Sequence, residues 1–124
     1  MSEHFDKGMA VRREVLGDSY VDSRATAGFD APFQEFVTEG AWGSVWARPN
    51  ISRRERSMIT LALLAGLGNF EELALHTRAT ANTGASHEDI LEVMLHVAVY
   101  AGVPRANHAL KVVKETLAEM EGEA

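Results

Sequence analysis

The sequence predicts an all-α fold. Two observations carry this. Apolar residues recur at helical spacing through most of the chain, and no stretch shows the strict alternation of a half-buried strand. The three prolines, at 32, 49 and 104, each fall at or near a proposed helix boundary, where a missing N–H costs least. The sum is five to six helices. With 124 residues, one compact domain spanning 1–124 is the natural expectation.

Taken in order, residues 3–16 form a first helix with Phe5, Met9, Val11 and Val15 as its apolar positions. Residues 17–30, GDSYVDSRATAGFD, are rich in small and turn-forming types and read as an extended or looped arm. With the first helix they form an N-terminal region, 1–30, of the kind that contacts neighbouring subunits. Asp30 stands where it can cap a helix opening at Ala31 and Pro32, lined by Phe33, Phe36, Val37, Trp42 and Trp46. Gly40 and Gly43 weaken that helix, so a kink or break is expected near the tryptophans. Ser52 with Glu55 is a capping box, and the helix it opens is apolar on nearly every side, which predicts burial within the domain or an assembly. Gly66 and Gly68 end it. Asn69 with Glu72 repeats the cap pattern ahead of a helix that stops at Gly84. Ser86 caps the next, with Glu88 and Asp89 in its first turn, and Gly102 ends it. Pro104 opens the last, which runs through Ala106, Leu110, Val113, Leu117 and Met120. The apolar surface left over is large for a lone chain of this size and points to a homo-oligomer.

Composition excludes several classes of chemistry. A formal net charge of −6 argues against broad nucleic-acid binding. Without a cysteine there is neither a disulfide nor a thiolate nucleophile, which suits a reducing cytoplasm. No apolar run approaches the roughly 20 residues that cross a bilayer, and the polar start MSEHFDKGMA is unlike a signal peptide. A cytoplasmic protein without a membrane partner is the expectation.

The titratable residues offer two constellations. Glu72 and His76 lie at i and i+4, where a carboxylate can hold an imidazole in one tautomer and raise its pKa. The plainer alternative is a pair on the helix surface. Glu92, His96 and Tyr100 repeat that spacing on the next helix, where a core histidine or a subunit contact is the alternative. His108 has a capping role open to it, and His4 and His87 are expected to be exposed. Arg48, Arg53, Arg54 and Arg56 cluster within nine residues and suit a small anion, or else simply solvate a helix start. Trp42 and Trp46 share a face, as a core pair or as the wall of a pocket. Neither Glu/His pair has the Glu-x-x-His spacing of di-metal bundles, and no His-Glu-x-x-His, P-loop or dinucleotide fingerprint occurs, so no metal and no cofactor are expected.

Several of these stretches together resemble a known family. They are Val11-Arg-Arg-Glu-Val-Leu-Gly-Asp18, Ala41-Trp-Gly-Ser-Val-Trp-Ala-Arg-Pro49, Arg56-Ser-Met-Ile-Thr-Leu-Ala-Leu-Leu64, Glu71-Glu-Leu-Ala-Leu-His76, Gly84 and Tyr100-Ala-Gly-Val-Pro104. The chain is similar, from about Val11 to Met120, to the carboxymuconolactone decarboxylase family. The resemblance implies the alkylhydroperoxidase-like helical fold, assembled as a trimer or hexamer. It implies cofactor-free decarboxylation of 4-carboxymuconolactone to β-ketoadipate enol-lactone in the protocatechuate branch of aromatic catabolism. Peroxidase relatives carry a Cys-x-x-Cys pair. Aligned here, those positions fall at Asn69 and Glu72, and the relay glutamate of that branch falls near Ser57, so thiol chemistry is absent.

On this reading the substrate is a small dianionic lactone that supplies its own electron sink. The protein must bind two carboxylates, stabilise charge on the lactone oxygen and protonate a ring carbon. His76 is the expected proton donor, oriented by Glu72. Arg48, Arg53 and Arg54 are expected to hold the carboxylates, with Arg78 a further candidate. His96 or Tyr100 would donate to the lactone oxygen, and Trp42 and Trp46 would form an apolar wall. The alternatives are a lactone hydrolase using the same pocket and a non-catalytic helical oligomer that binds a small aromatic acid.

Overall fold

The structure, a computed structural model, describes residues 2–24 and 28–123. Among these residues every regular element is helical, and no helix is long and apolar enough to cross a membrane. The chain divides into two compact units, residues 1–52 and 53–124.

In the first unit, α1 spans Glu3–Leu16. The Ser2 side chain accepts a hydrogen bond from the Phe5 N–H at 3.0 Å, and Glu3 and Asp6 place negative charge at the positive end of the helix dipole. Gly17, at φ 93°, ends the helix and turns the chain directly into α2, Asp18–Ser23. The arm expected over 17–30 is therefore helical in its first part. The reason is a salt link that composition does not reveal. Arg13 on α1 donates to Asp18 at 3.1 Å and to Asp22 at 2.9 Å, tying one turn of helix back onto the preceding one. Residues 25–27 of the expected arm lie outside the described residues.

Helix α3, Ala31–Val37, passes without a break into a π-helical segment, Thr38–Trp46. Asp30 does not cap α3 with its side chain as expected; that carboxylate accepts from the Gln34 side-chain amide at 3.2 Å. Phe33 and Phe36 stand exposed rather than lining a buried face. The irregularity anticipated at Gly40 and Gly43 takes the form of the wide helix, in which the Ala47 N–H donates five residues back to the Trp42 carbonyl at 2.9 Å. Glycine has a second role here, because α1 packs along this segment with the backbones in contact. A methyl group on Gly8 would lie 2.7 Å from the Gly43 nitrogen, and one on Gly43 would lie 3.0 Å from the His4 carbonyl carbon.

The second unit is built from α4 (Arg53–Leu67), α5 (Phe70–Thr83), α6 (His87–Tyr100) and α7 (Val103–Glu123). Helix α4 packs against the other three, and α7 also packs against α5 and α6. Leu61, Leu73, Ile90, Met94 and Val113 lead the core, and burial of each large side chain contributes about 1.5–3 kcal/mol. Helix α4 is not buried all round. Ser57, Leu61 and Ala65 face inward, while Ile59, Leu63 and Leu67 are 52%, 58% and 69% exposed. Three partners cover one side of a helix, and an apolar composition alone does not say which side.

The joints follow local chemistry. Gly68 (φ 79°) turns the chain between α4 and α5. Asn69 does not cap α5 with its side chain as expected; its carbonyl accepts from the Leu73 N–H at 2.9 Å. Gly84, left-handed at φ 88°, closes α5 with its N–H donated to the Thr80 carbonyl. A full capping box opens α6: the Asp89 N–H donates to Ser86 Oγ at 3.0 Å, and the Ser86 N–H to the Asp89 carboxylate at 2.9 Å.

Candidate functional site

His76, the proton donor that the sequence suggests, is buried in the second unit. Leu73, His76, Thr77, Thr80 and Thr83 recur at three- and four-residue spacing, so they share the buried face of α5. Two of the threonines turn their hydroxyls onto their own helix, Thr77 to the Leu73 carbonyl at 2.7 Å and Thr80 to the Thr77 carbonyl at 2.6 Å. This lets polar side chains occupy a buried face. His76 itself is only 8% exposed, and its Nδ1 is fully buried. Burial pushes the imidazole pKa down to about 4.

That direction is opposite to the one expected from a neighbouring carboxylate. Glu72 is one turn away but exposed, and it lines a shallow surface depression with Gly68, Asn69, Phe70 and Glu71. Desolvation governs the imidazole. At neutral pH the free protein therefore holds His76 uncharged, ready to accept a proton or to donate a hydrogen bond through a ring N–H. On α4, Ser57, aligned above with the relay glutamate, is 1% exposed. The Ser57 and Thr83 hydroxyl oxygens are buried and make no hydrogen bond among the described residues. Buried polar atoms left in this way commonly mark a place that water or a ligand completes.

The arginines differ sharply. Arg54 meets Asp89 through both arms of its fork, Nε to Oδ2 at 2.8 Å and a terminal nitrogen to Oδ1 at 2.6 Å. This pair ties the start of α4 to the capping box of α6 and holds the Asp89 carboxyl well below the usual range. Arg54 is thus a structural fork, not an open anion receptor. Arg78 is engaged in the same way, with Glu119 and Glu123 on α7, each at 2.9 Å. Arg53 is half-buried and Arg48 is exposed.

His96 and Tyr100 come together, stacked with ring centroids 5.4 Å apart, but on the exposed face of α6, where Tyr100 is 82% exposed. Within this unit they therefore lie on an outer face, whereas His76 faces inward. His108 stacks on Phe70 at 4.0 Å instead of capping a polar group. Among the described residues no group of three His, Asp or Glu side chains is arranged to hold a metal ion.

In the first unit, Trp42 and Trp46 are buried in contact, with ring centroids 5.1 Å apart and planes inclined at 31°. One polar residue there escaped the sequence reading. Arg12 is 5% exposed. The signal was present, because Gly8, Val11, Arg12 and Val15 fall on one helical face, and all four are buried.

Comparison with known proteins agrees with this architecture. The model of the carboxymuconolactone decarboxylase family matches residues 31–115, from α3 into α7. A protein of Metarhizium robertsii named nitrosuccinic acid decarboxylase is 44% identical over 118 residues, covering 94% of this chain and 82% of its own length. A 4-carboxymuconolactone decarboxylase of Acinetobacter baylyi is 37% identical over 120 residues, covering 95% of this chain and 90% of its own. With its family model matched over more than half its length and two relatives aligned nearly end to end, this helical chain belongs to the carboxymuconolactone decarboxylase family.

Proposed function

We propose that the protein is a decarboxylase acting on a small dicarboxylate that carries its own electron sink, with 4-carboxymuconolactone as substrate and β-ketoadipate enol-lactone and CO₂ as products. The observation that carries this reading is family membership together with two long-range relatives that are both named decarboxylases. As the bond to the departing carboxylate breaks, its electron pair moves through the ring double bond onto the lactone carbonyl oxygen. The dienolate then takes one proton on a ring carbon as one CO₂ leaves. The lactone carbonyl takes the role of an electron-accepting cofactor, so the task left to the protein is to bind two carboxylates and move one proton.

His76 is our candidate for that proton transfer. In the free protein burial keeps it neutral. A bound dianion favours the imidazolium and raises its pKa, so the substrate itself arms the acid. Arg54 is occupied by Asp89, and Arg48 and Arg53, named with it from the sequence, stay our candidate carboxylate receptors. Trp42 and Trp46 remain candidates for an apolar wall, His96 and Tyr100 for donors to the lactone oxygen, and Glu72 for a residue that acts on His76 only through the helix they share. We read residues 1–124 as one family domain and infer a homo-oligomer built on trimers. The stripes Ile59–Leu63–Leu67 and Leu91–Leu95–Val99, exposed on α4 and α6, support that assembly.

A second substrate has a specific observation in its favour. The relative named for nitrosuccinic acid is the more identical of the two, 44% against 37%. Nitrosuccinic acid is also a dicarboxylate with a built-in sink, its nitro group. The test is CO₂ release from each acid by wild type and by His76→Gln. Release from 4-carboxymuconolactone, lost in the variant, supports the reading; release from nitrosuccinate alone transfers it to the second substrate. Lactone opening without CO₂ would show a hydrolase, and saturable binding without turnover would show a binding protein.

A further inference from the structure

Arg12 carries a permanent charge into the interior. Its guanidinium stays protonated at any physiological pH, and it is 5% exposed. Its Nε is buried and makes no hydrogen bond among the described residues. The acidic groups of the same region serve another residue: Asp18 and Asp22 both accept from Arg13. The titratable neighbours that act on Arg12 are Arg13 and Arg24, both cations, and the phenol Tyr20, whose ring also lies 6.0 Å from the Arg24 guanidinium. Burial is the largest influence on Arg12 and acts against its charge.

A buried cation is ordinarily paired, because desolvation is otherwise uncompensated. Arg12 has no carboxylate partner among the described residues, an orphaned donor and two cations nearby. We propose that Arg12 is an anion-binding residue whose ligand is a carboxylate of the substrate, held through the guanidinium fork. This rests on the reading of the protein as a dicarboxylate decarboxylase. A planar fork matches a carboxylate in two-point fashion, which a lysine ammonium at the same place does not.

The experiment compares wild type with Arg12→Met, which keeps an unbranched apolar stem and removes the charge, and with Arg12→Lys, which keeps the charge and removes the fork. Two readouts are taken. The first is kcat and KM for CO₂ release from the two candidate acids. The second is calorimetric binding of succinate, a plain dicarboxylate, and of inorganic phosphate, neither of which requires turnover. We expect KM to rise roughly 10–100-fold in Arg12→Met, the loss of one or two charge-assisted hydrogen bonds, with succinate binding weakened by a similar factor. Arg12→Lys should recover only part of it. The melting temperature of Arg12→Met should not fall, because the change removes an uncompensated charge.

KM and succinate affinity within about twofold of wild type in both variants would overturn the assignment. So would a wild type that binds phosphate but not succinate. If Arg12→Met fails to fold, Arg12→Lys decides alone, and wild-type KM and succinate affinity in it would overturn the fork. If wild type releases CO₂ from neither acid, the functional reading fails by itself, and the succinate arm still decides whether Arg12 receives a carboxylate.

Discussion

His76 couples burial to acid stability, and its contribution has a definite size and sign. Its pKa is about 4 in the folded chain against 6.5 for an ordinary imidazole. Above 6.5 both folded and unfolded chains hold it neutral, so the full stability is present. As pH falls through the window from 6.5 to 4 the unfolded chain takes up a proton that the folded chain refuses, and stability is lost. Below 4 both forms are protonated and the loss levels off. At about 1.4 kcal/mol per tenfold, the plateau loss is about 3 kcal/mol, a large share of the ~5–15 kcal/mol that keeps a domain folded. The assay is urea unfolding followed by far-ultraviolet circular dichroism at about pH 7.5 and about pH 4.5, for wild type and His76→Gln. Wild type should lose about 2.5 kcal/mol more than the variant between those points. Asp89 and Glu123, whose pKa values are lowered by Arg54 and Arg78, lose stability as pH falls through the carboxylate range, but they do so equally in both proteins and cancel in the difference. Equal losses in the two proteins would refute the claim that burial keeps this imidazole neutral.

Further outcomes follow from the same structure. The pH profile of kcat/KM, which reports the free protein, should show no His76 ionisation between about pH 5 and 8, whereas that of kcat should show one displaced upward by the bound dianion; a His76-dependent step near 6.5 in kcat/KM would contradict the buried state. Ser86→Ala removes the side-chain half of the α6 capping box and should cost about 1 kcal/mol in chemical denaturation. Gly8→Ala sets a methyl group against the backbone of the π segment and should destabilise by about 1–3 kcal/mol, whereas Gly40→Ala, which meets nothing within 4 Å, should not. Leu63→Glu with Leu95→Glu charges both exposed stripes; light scattering should show a smaller particle than wild type, and an unchanged mass would remove these faces from the assembly.

Much of the helical plan was legible because its signals are local. Ser86 reads as a cap from its own neighbours, and the structure gives it the complete box with Asp89. Gly84 ends α5 because a left-handed residue is cheapest without a Cβ. The glycines at 40 and 43 announced an irregular helix. Asp18–Ser23 reads as an arm in the sequence because its stabilising partner, Arg13, acts from the preceding helix, and small polar residues look like a loop without that partner. The charge of Arg12 suggests solvent, although its spacing from Gly8 and Val15 places it on the buried face.

The sequence by itself determined that the chain is helical, where most of its helices begin and end, which chemistries its residues cannot perform, and which family it resembles. These depend on caps, glycines, periodicity and motif, each acting within a few residues. Only the tertiary structure decided which charges are satisfied and which imidazole is dry. Arg54 finds Asp89 across 35 residues, Arg78 finds Glu119 across 41, and the Glu72–His76 pair that spacing suggests is separated into an exposed carboxylate and a buried ring. Desolvation is set by whatever packs over a side chain, and that neighbour is rarely nearby in the chain.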